Sequence, residues 1–212
     1  MKLFDYCRSS AAYRVRIALN LKELGYEHIC VNLLDAQQKS EQYKQTNPQG
    51  LIPAFVDNEH TFSQSMAIME YLDEAYPDSF QLLPSDTNEK ARVRSLALSI
   101  ACDIHPLNNL RVLKYLVAEL GITEEQKLAW YHHWITEGFT GLEQQLVTSE
   151  MTGEFCHGNS PTIADLCLIP QVFNAKRFNT PMDNFPTINR IVASCEALTA
   201  FEKAHPDQQP DA

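Results

Sequence analysis

A strand and then a helix are predicted near the start of the chain, where residues 3–25 read LFDYCRSSAAYRVRIALNLKELG. Leu3–Tyr6 has the character of a short strand, and apolar residues recur at three- and four-residue spacing from Ala11 to Leu24. That spacing places them on one face of a helix. Gly25 follows, and glycine readily takes the left-handed conformation that ends a helix. These residues therefore predict a β-strand followed by an α-helix.

The rest of the chain divides into a mixed part and a helical part. His28–Leu33 indicates a second strand, and residues 53–56 with 61–63 indicate a hairpin. A helix is predicted from Ser65 to Tyr76, where Pro77 ends it. Only helical patterns follow, over residues 89–98, 104–120, 123–146, 162–178 and 188–201.

Two domains are expected from this change of pattern. An α/β domain is predicted over residues 1–80 and an all-α domain over residues 88–212. Residues 81–87 form the expected linker, because proline and small polar residues interrupt both periodicities. The tail His205–Ala212 is polar and contains two prolines, so it is expected to fray.

The composition describes a globular protein with an acidic surface. The chain has 17 Lys and Arg against 27 Asp and Glu, a net charge of −10, and 44% hydrophobic residues. This charge disfavours a nucleic-acid partner, which requires clustered positive charge. No apolar run approaches the roughly 18 residues of a membrane span, and no secretory signal is recognisable. We expect a cytoplasmic protein without a membrane partner, in which local arginines bind any anionic substrate.

The cysteines indicate neither a disulfide framework nor a metal site. All six stand far apart, and no Cys-x-x-Cys pair occurs, so free thiols are predicted. Cys102 and His105 have a metal-like spacing, but no second pair completes a tetrahedral set. No metal is therefore expected.

Two adjacent serines are the first candidates for chemistry. Ser9 and Ser10 lie between the first strand and the first helix, where a helix N-terminus offers unpaired N–H groups and partial positive charge. Such a position suits an anion or a thiolate, although one serine serving only as an N-cap is the simpler alternative. Arg8 is the candidate cation beside them. Arg14 and Arg16 lie on different helical faces, so at least one is expected to be an ion-pair or surface residue.

Two further sites carry both a structural and a functional alternative. Pro53 begins a predicted strand, where proline is tolerated, or else forms a cis peptide that exposes the backbone of Ile52 to a ligand. Gln64 and Ser65 begin the next helix. They either cap it or present an amide, a hydroxyl and an N–H group to a carboxylate.

The helical part offers one candidate face and one structural motif. His105 and Asn109 are four residues apart, hence on the same face of the predicted helix, which either lines a cleft or faces solvent. Thr162 and Asp165 form a capping-box pattern, which we interpret as structural.

The motifs as a set resemble a known family. Residues 6–19, YCRSSAAYRVRIAL, are similar to the signature of zeta-class glutathione transferases, which include maleylacetoacetate isomerases. The resemblance covers nearly the whole chain, continuing through residues 47–53, 64–72, 104–110, 164–172 and 185–186. It implies a thioredoxin-like N-terminal domain, an all-helical C-terminal domain and a homodimer.

The resemblance also implies a reaction and a cofactor. Glutathione would act on a small dicarboxylate, maleylacetoacetate or maleylpyruvate, by thiolate addition, bond rotation and elimination in tyrosine or other aromatic catabolism. Two alternatives are a general transferase of the class that acts on α-halo acids and a non-catalytic binding module of the same fold. Retention of the protein on immobilised glutathione and its rate of turnover with each substrate distinguish these three functions.

Site residues follow from the same resemblance. Ser9 or Ser10 would bond the glutathione sulfur, with Arg8 as a third catalytic candidate. The expected glutathione-binding residues are Ser10, Gln49, Ile52, Pro53, Gln64, Ser65, His105 and Asn109. Developing negative charge and substrate carboxylates require cations, and the candidates are Arg8, Arg111 and Arg177.

The chain departs from the family pattern at three positions. Ala11 stands where many members have cysteine, which leaves glutathione as the nucleophile. Tyr13 stands where tryptophan is frequent. His105 occupies a position that is glutamine in some relatives, which favours the bacterial subgroup that contains maleylpyruvate isomerases.

Overall fold

The computed structural model describes residues 1–212, and these form two compact units. The first unit comprises Met1–Leu83 together with Glu196–Ala212, and the second comprises Pro84–Cys195. The strands are β1 Lys2–Asp5, β2 Glu27–Cys30, β3 Ala54–Asp57 and β4 His60–Ser63. The α-helices are α1 Ser10–Leu21, α2 Glu41–Thr46, α3 Ser65–Ala75, α4 Thr87–Leu98, α5 Leu110–Ala118, α6 Glu124–Thr148, α7 Ile163–Arg177, α8 Pro186–Glu196 and α9 Thr199–Ala204.

A mixed four-stranded sheet forms the centre of the first unit. Its strand order is β2-β1-β3-β4, with β1 parallel to β2 and antiparallel to β3, and β3 antiparallel to β4. The register pairs Asp5 with Cys30 and Phe4 with Ala54. Helix α1 packs against α3 and α9, and Leu3, Ile17 and Ile68 are fully buried. The expected α/β thioredoxin-like part is confirmed.

The first helix ends earlier than its apolar pattern predicts. Helix α1 ends at Leu21, and the left-handed residue is Glu23, with φ 55°, rather than Gly25. Lys22 explains this end point because its Nζ donates to Asp73 Oδ1 at 3.1 Å and to the carbonyl of Phe80 at 2.7 Å. These buried contacts hold the chain at the helix end. Helix α2 was not predicted at all.

Helices make up almost all of the second unit, as expected, but one of them is broken. The predicted helix over residues 104–120 is confirmed only from Leu110 to Ala118 and is wrong before that. A π-helical turn, Ser99–Ile104, and a 3-10 turn, His105–Asn108, precede α5. Pro106 cannot donate a backbone hydrogen bond there, and Asn109 starts α5 instead by accepting from the N–H of Arg111 at 3.1 Å.

The C-terminal part also differs from the expected arrangement. The predicted helix over residues 188–201 is two helices, α8 and α9. Segment Glu196–Ala212 belongs to the first unit rather than to one helical domain over residues 88–212. Two hydrogen bonds explain this, because Asn20 donates to the carbonyl of Ala200 and Arg16 donates to that of Ala204, both at 3.0 Å.

Buried carboxylates accept hydrogen bonds from backbone N–H groups at the start of two helices of the second unit. Asp165 accepts from the N–H groups of Cys156 and Thr162, both at 2.8 Å, so the predicted capping box of α7 is confirmed. Glu143 of α6 accepts from the N–H groups of Thr187 and Ile188 at the start of α8. None of the helices combines the length and apolar character of a membrane span.

Candidate active site

The serine pair takes two different positions at the start of α1. Ser9 is the N-cap, with an extended backbone, and its Oγ accepts from the N–H of Ala12 at 3.3 Å. Ser10 is the first residue of the helix, and 5% of it is exposed. The simpler alternative, that one serine is an N-cap, is confirmed for Ser9. The two serines therefore differ in position, since Ser9 caps the helix and Ser10 is its first residue.

A buried ion pair supports the loop before the serines. Arg16 donates from Nη1 to both oxygens of Asp5 at 2.8 Å, and neither side chain is exposed. Its Nη2 donates to the carbonyl of Cys7 at 2.9 Å. The prediction that Arg14 or Arg16 is an ion-pair residue is confirmed for Arg16. Burial, followed by the charge of Asp211, raises the pKa of Cys7, so this thiol is a poor candidate for a thiolate nucleophile.

The segment before β3 is held by the side chains of Tyr43 and Asn47. The peptide Ile52–Pro53 is cis, and Pro53 is buried. The preceding carbonyl, that of Leu51, accepts from Tyr43 Oη at 2.6 Å and from Asn47 Nδ2 at 2.7 Å. Asn47 belongs to the family-like segment, whereas Tyr43 had no signal beyond being an aromatic residue.

The start of α3 combines a strained residue with a buried hydroxyl. Gln64 occupies the N-cap position with φ 69° and ψ 114°, and its side chain makes no capping bond. A non-glycine residue in such a sparsely populated conformation is typical of a ligand site. Its Nε2 donates to Gln49 Oε1 at 3.2 Å, which brings two predicted residues together. Ser65, 5% exposed, accepts at Oγ from Arg14 Nη1 at 3.1 Å.

Arg14 is the unexpected member of this group. Only 2% of it is exposed, and its guanidinium reaches from α1 to the first residue of α3. An arginine remains protonated, and a hydroxyl that accepts from it is a better donor through its own proton. The arrangement suits an anion at the N-terminus of α3.

The second unit brings His105 and Asn109 together, although not through one helix. Asn109 Nδ2 lies 3.5 Å from His105 Nε2, and both residues are half-buried. The 3-10 turn that contains Pro106 and the cap of α5 produce this contact. Their expected proximity is therefore correct, and the helical reason for it is wrong.

The three candidate cations are all exposed. Arg8 lies in the loop of the first unit, whereas Arg111 is in the first turn of α5 and Arg177 in the last turn of α7. The guanidinium of Arg177 lies 5.4 Å from the centre of the Phe178 ring. An exposed guanidinium is available to a carboxylate, which it binds in a planar, bidentate manner.

Comparison with known proteins identifies relatives over the whole chain. The family model "Glutathione S-transferase, N-terminal domain" matches residues 1–74. A protein of Vibrio cholerae described as a probable maleylacetoacetate isomerase is 50% identical over 212 residues, covering 99% of this chain and 97% of its own.

Two solved structures share both fold and sequence. One is a holo maleylpyruvate isomerase, a bacterial glutathione transferase of the zeta class, with a TM-score of 0.98, 42% identity and complete coverage of both chains. Another is a maleylacetoacetate isomerase from Anaeromyxobacter dehalogenans with dicarboxyethyl glutathione and citrate in its active site. It has a TM-score of 0.87 and 38% identity, and the match covers 100% of this chain and 93% of that chain.

Proposed function

Because the chain belongs to the zeta class of glutathione transferases, we propose that it is a glutathione-dependent isomerase that converts maleylacetoacetate or maleylpyruvate to the fumaryl isomer. The site assignment depends on one observation, which is that two helices each begin with a serine. Ser10 begins α1, Ser65 begins α3, and Arg14 connects the two. The relative with bound dicarboxyethyl glutathione supports the reaction class, since that ligand joins glutathione to a dicarboxylate.

The groups at these two helix starts fit glutathione. A helix N-terminus with a hydroxyl suits a thiolate, and a second one backed by a buried guanidinium suits a carboxylate. When bound, glutathione supplies a thiolate that adds to the conjugated double bond, permits rotation about the resulting single bond and then leaves. Without this addition, the π bond prevents rotation.

The role of Ser10 is to favour the ionised sulfur. A free thiol has a pKa of about 8.5, so only a small fraction is thiolate at neutral pH. The hydroxyl of Ser10 donates a hydrogen bond that strengthens as charge develops on sulfur. The N-terminus of α1 adds about 0.3 to 2 kcal/mol in the same direction. Ser9 shapes this helix start as its cap.

The α-carboxylate of the γ-glutamyl residue is bound at the start of α3. The hydroxyl of Ser65 donates a hydrogen bond to that carboxylate, because its oxygen already accepts one from Arg14. Gln64 and Gln49, joined by their hydrogen bond, contribute amide groups to the same site. The backbone of Ile52, before cis Pro53, pairs with the cysteinyl part of the tripeptide, and His105 with Asn109 completes the glutathione-binding set.

Cations bind the substrate and the charge that develops on it. We assign the carboxylates of the maleyl acid to Arg8, Arg111 and Arg177, all of which are exposed. The enolate formed on addition needs the same kind of stabilisation. An electrophile without carboxylates should not depend on these arginines.

Arg14 provides a specific test of the γ-glutamyl site. Arg14→Met should raise KM for glutathione about tenfold, as expected for loss of a charged hydrogen-bond partner. The same substitution should have little effect on KM for a glutathione analogue that lacks the γ-glutamyl α-carboxylate. Equal losses for glutathione and the analogue would contradict the carboxylate role. The control is Arg190→Ala, at an exposed arginine of the second unit.

The proposed reaction itself is tested by substrate comparison. Initial rates with glutathione on maleylacetoacetate, maleylpyruvate and dichloroacetate distinguish an isomerase from a transferase of α-halo acids. We expect the maleyl acids to be turned over much faster. A protein that is retained on glutathione-agarose yet isomerises neither acid would contradict the proposal, and absence of retention would favour a non-catalytic binding module.

On the basis of the family, we extend the proposal to the oligomeric state, the cellular location and the metabolic pathway. The enzyme acts as a homodimer in the cytoplasm and serves tyrosine or other aromatic catabolism. Sedimentation equilibrium tests the dimer, and accumulation of a maleyl acid in a deletion strain grown on an aromatic carbon source tests the pathway.

A further inference from the structure

Asp211 contacts the loop that carries the serine pair. The carboxylate oxygen Oδ2 of Asp211 accepts from the N–H of Cys7 at 2.9 Å, and its backbone carbonyl accepts from Cys7 Sγ at 3.3 Å. The same Oδ2 accepts from Cys30 Sγ at 3.4 Å. Only 12% of the Asp211 side chain is exposed. The predicted frayed tail is therefore wrong at this residue.

The other face of Cys7 is held by a buried ion pair. Its carbonyl accepts from Arg16, which is paired with Asp5. His28 Nε2 lies between the two carboxylates, 3.3 Å from Asp5 Oδ2 and 3.9 Å from Asp211 Oδ1. Cys7 is therefore held on both sides, because its N–H donates to Asp211 and its carbonyl accepts from Arg16, which is paired with Asp5.

These contacts act on the serines through a short piece of backbone. Cys7 lies two residues before the N-cap Ser9, and β1 ends at Asp5, so the sheet does not hold the intervening peptides. The N–H of Ser9 donates to the carbonyl of Tyr6 at 2.8 Å, which joins the cap to the peptide bond that precedes Cys7. A carboxylate that accepts a backbone N–H makes a strong, charge-assisted bond.

We propose that Asp211 is a positioning residue of the active site, which fixes the Cys7 peptide and thereby the placement of Ser9 and Ser10 at the start of α1. This inference rests on the proposed function. Asp211 does not contact the reacting atoms in this proposal. It acts through Cys7, and its effect is measured as a change in the pKa of the bound thiol.

The test compares Asp211→Ala and Asp211→Asn with Asp207→Ala. Asp207 is a carboxylate of the same tail whose side chain is 81% exposed, and its only ion-pair partner is His205. Three quantities are measured: kcat and KM for the maleyl acid, the pKa of glutathione bound to the protein from thiolate absorbance, and labelling of Cys7 by N-ethylmaleimide with peptide mapping.

Asp211→Ala should lower kcat about tenfold, raise the pKa of the bound thiol and expose Cys7 to labelling, as expected for a lost charge-assisted bond. KM should change far less than kcat. Asp211→Asn retains an acceptor for the Cys7 N–H and should fall between wild type and Asp211→Ala. Asp207→Ala should match wild type in all three measurements.

Two results would overturn the inference. If kcat and the bound-thiol pKa stay at wild-type values, Asp211 does not position the loop, whether or not Cys7 is labelled. If thermal stability falls while the pKa of the bound thiol is unchanged, the role is structural only. Should Asp211→Ala fail to fold, Asp211→Asn decides by the same criteria. Wild-type protein that binds glutathione without isomerase activity would instead contradict the proposed function, while thiol pKa and Cys7 labelling still test the loop.

Discussion

At the scale of the residue, the neighbouring serines provide a matched pair of substitutions. Ser10→Ala should lower turnover about tenfold or more, because it removes one charge-assisted hydrogen bond to sulfur worth about 2 kcal/mol. Ser9→Ala should instead lower the free energy of unfolding by about 1 kcal/mol, since Ser9 Oγ caps α1. Thiolate absorbance of bound glutathione and urea unfolding measure the two effects.

The contrast between the two variants is what tests the assignment. A normal thiolate signal in Ser10→Ala, together with a reduced signal in Ser9→Ala, would transfer the sulfur contact to Ser9. Sequence reasoning recognised the pair, but it left the division of roles open. The φ and ψ angles of Ser9 and its bond to Ala12 resolve the capping role.

Tyr43 gives a pH-dependent prediction because its hydroxyl is buried. Burial raises the pKa of Tyr43 from 10.0 to about 12. The folded state therefore keeps this proton between pH 10 and 12, while the unfolded chain loses it. Its contribution to stability is complete below pH 10 and is lost progressively as the pH rises toward 12.

Tyr43→Phe should expose that dependence in urea unfolding. At pH 8 the variant should be about 1 kcal/mol less stable, because the bond to the carbonyl of Leu51 is lost. The difference in the free energy of unfolding between wild type and variant should narrow above pH 10. Only the wild type has the tyrosine whose contribution is lost there, since phenylalanine does not ionise. Tyrosines common to both proteins cancel in the comparison. A difference that is constant or widens with pH would contradict the prediction.

At the scale of the element, local signals predicted what local contacts determine. The capping box of Thr162 and Asp165 and the hairpin β3–β4 depend on residues close together in the sequence, and both were predictable. The end of α1 was not, because Lys22 is held by Asp73, 51 residues away. The break before α5 had a signal in Pro106, but the three- and four-residue apolar spacing across it favoured one continuous helix.

Helix α7 should depend strongly on its buried cap. Asp165→Ala removes the acceptor of two backbone N–H groups and of the Thr162 hydroxyl. We expect a loss of about 2 to 4 kcal/mol in the free energy of unfolding, because buried donors are left without partners. Asp165→Asn should lose less, as one amide oxygen still accepts. Urea denaturation measures both variants, and Asp183→Ala, at an exposed residue, is the control.

At the scale of the whole molecule, fold class and domain order followed from the change of pattern near residue 80. The assignment of the C-terminal segment did not, because it depends on contacts across most of the chain. Cys7 and Asp211 are 204 residues apart, and a polar tail with prolines carries no sign of such a partner. The candidate site divides in the same way. Its serines and Gln64 lie in recognisable motifs, whereas the supports Tyr43 and Asp211 are visible only once the chain is folded.

The net charge of −10 allows the effect of the whole protein on an anionic substrate to be separated from the effect of nearby arginines. A dianionic substrate is repelled by the protein as a whole and attracted by nearby arginines. Charges beyond about 10 Å are screened at 0.1 M salt, so the balance depends on ionic strength. For wild type, added salt should raise KM for a maleyl acid, because attraction to local arginines dominates.

Arg111→Ala and Arg190→Ala each remove one positive charge and so make the protein more negative by the same amount. Both positions are exposed in the second unit. Arg111→Ala should raise KM for the maleyl acid about fivefold at low salt, as expected for an exposed charge pair worth about 1 kcal/mol. It should also weaken the dependence of KM on salt, because one of the three attracting arginines is lost while the general repulsion remains. Arg190→Ala should retain the wild-type dependence, and a neutral electrophile should show none in any of the three proteins. If both variants changed alike, net charge rather than the position of Arg111 would control substrate binding, since the two differ only in where the positive charge was removed.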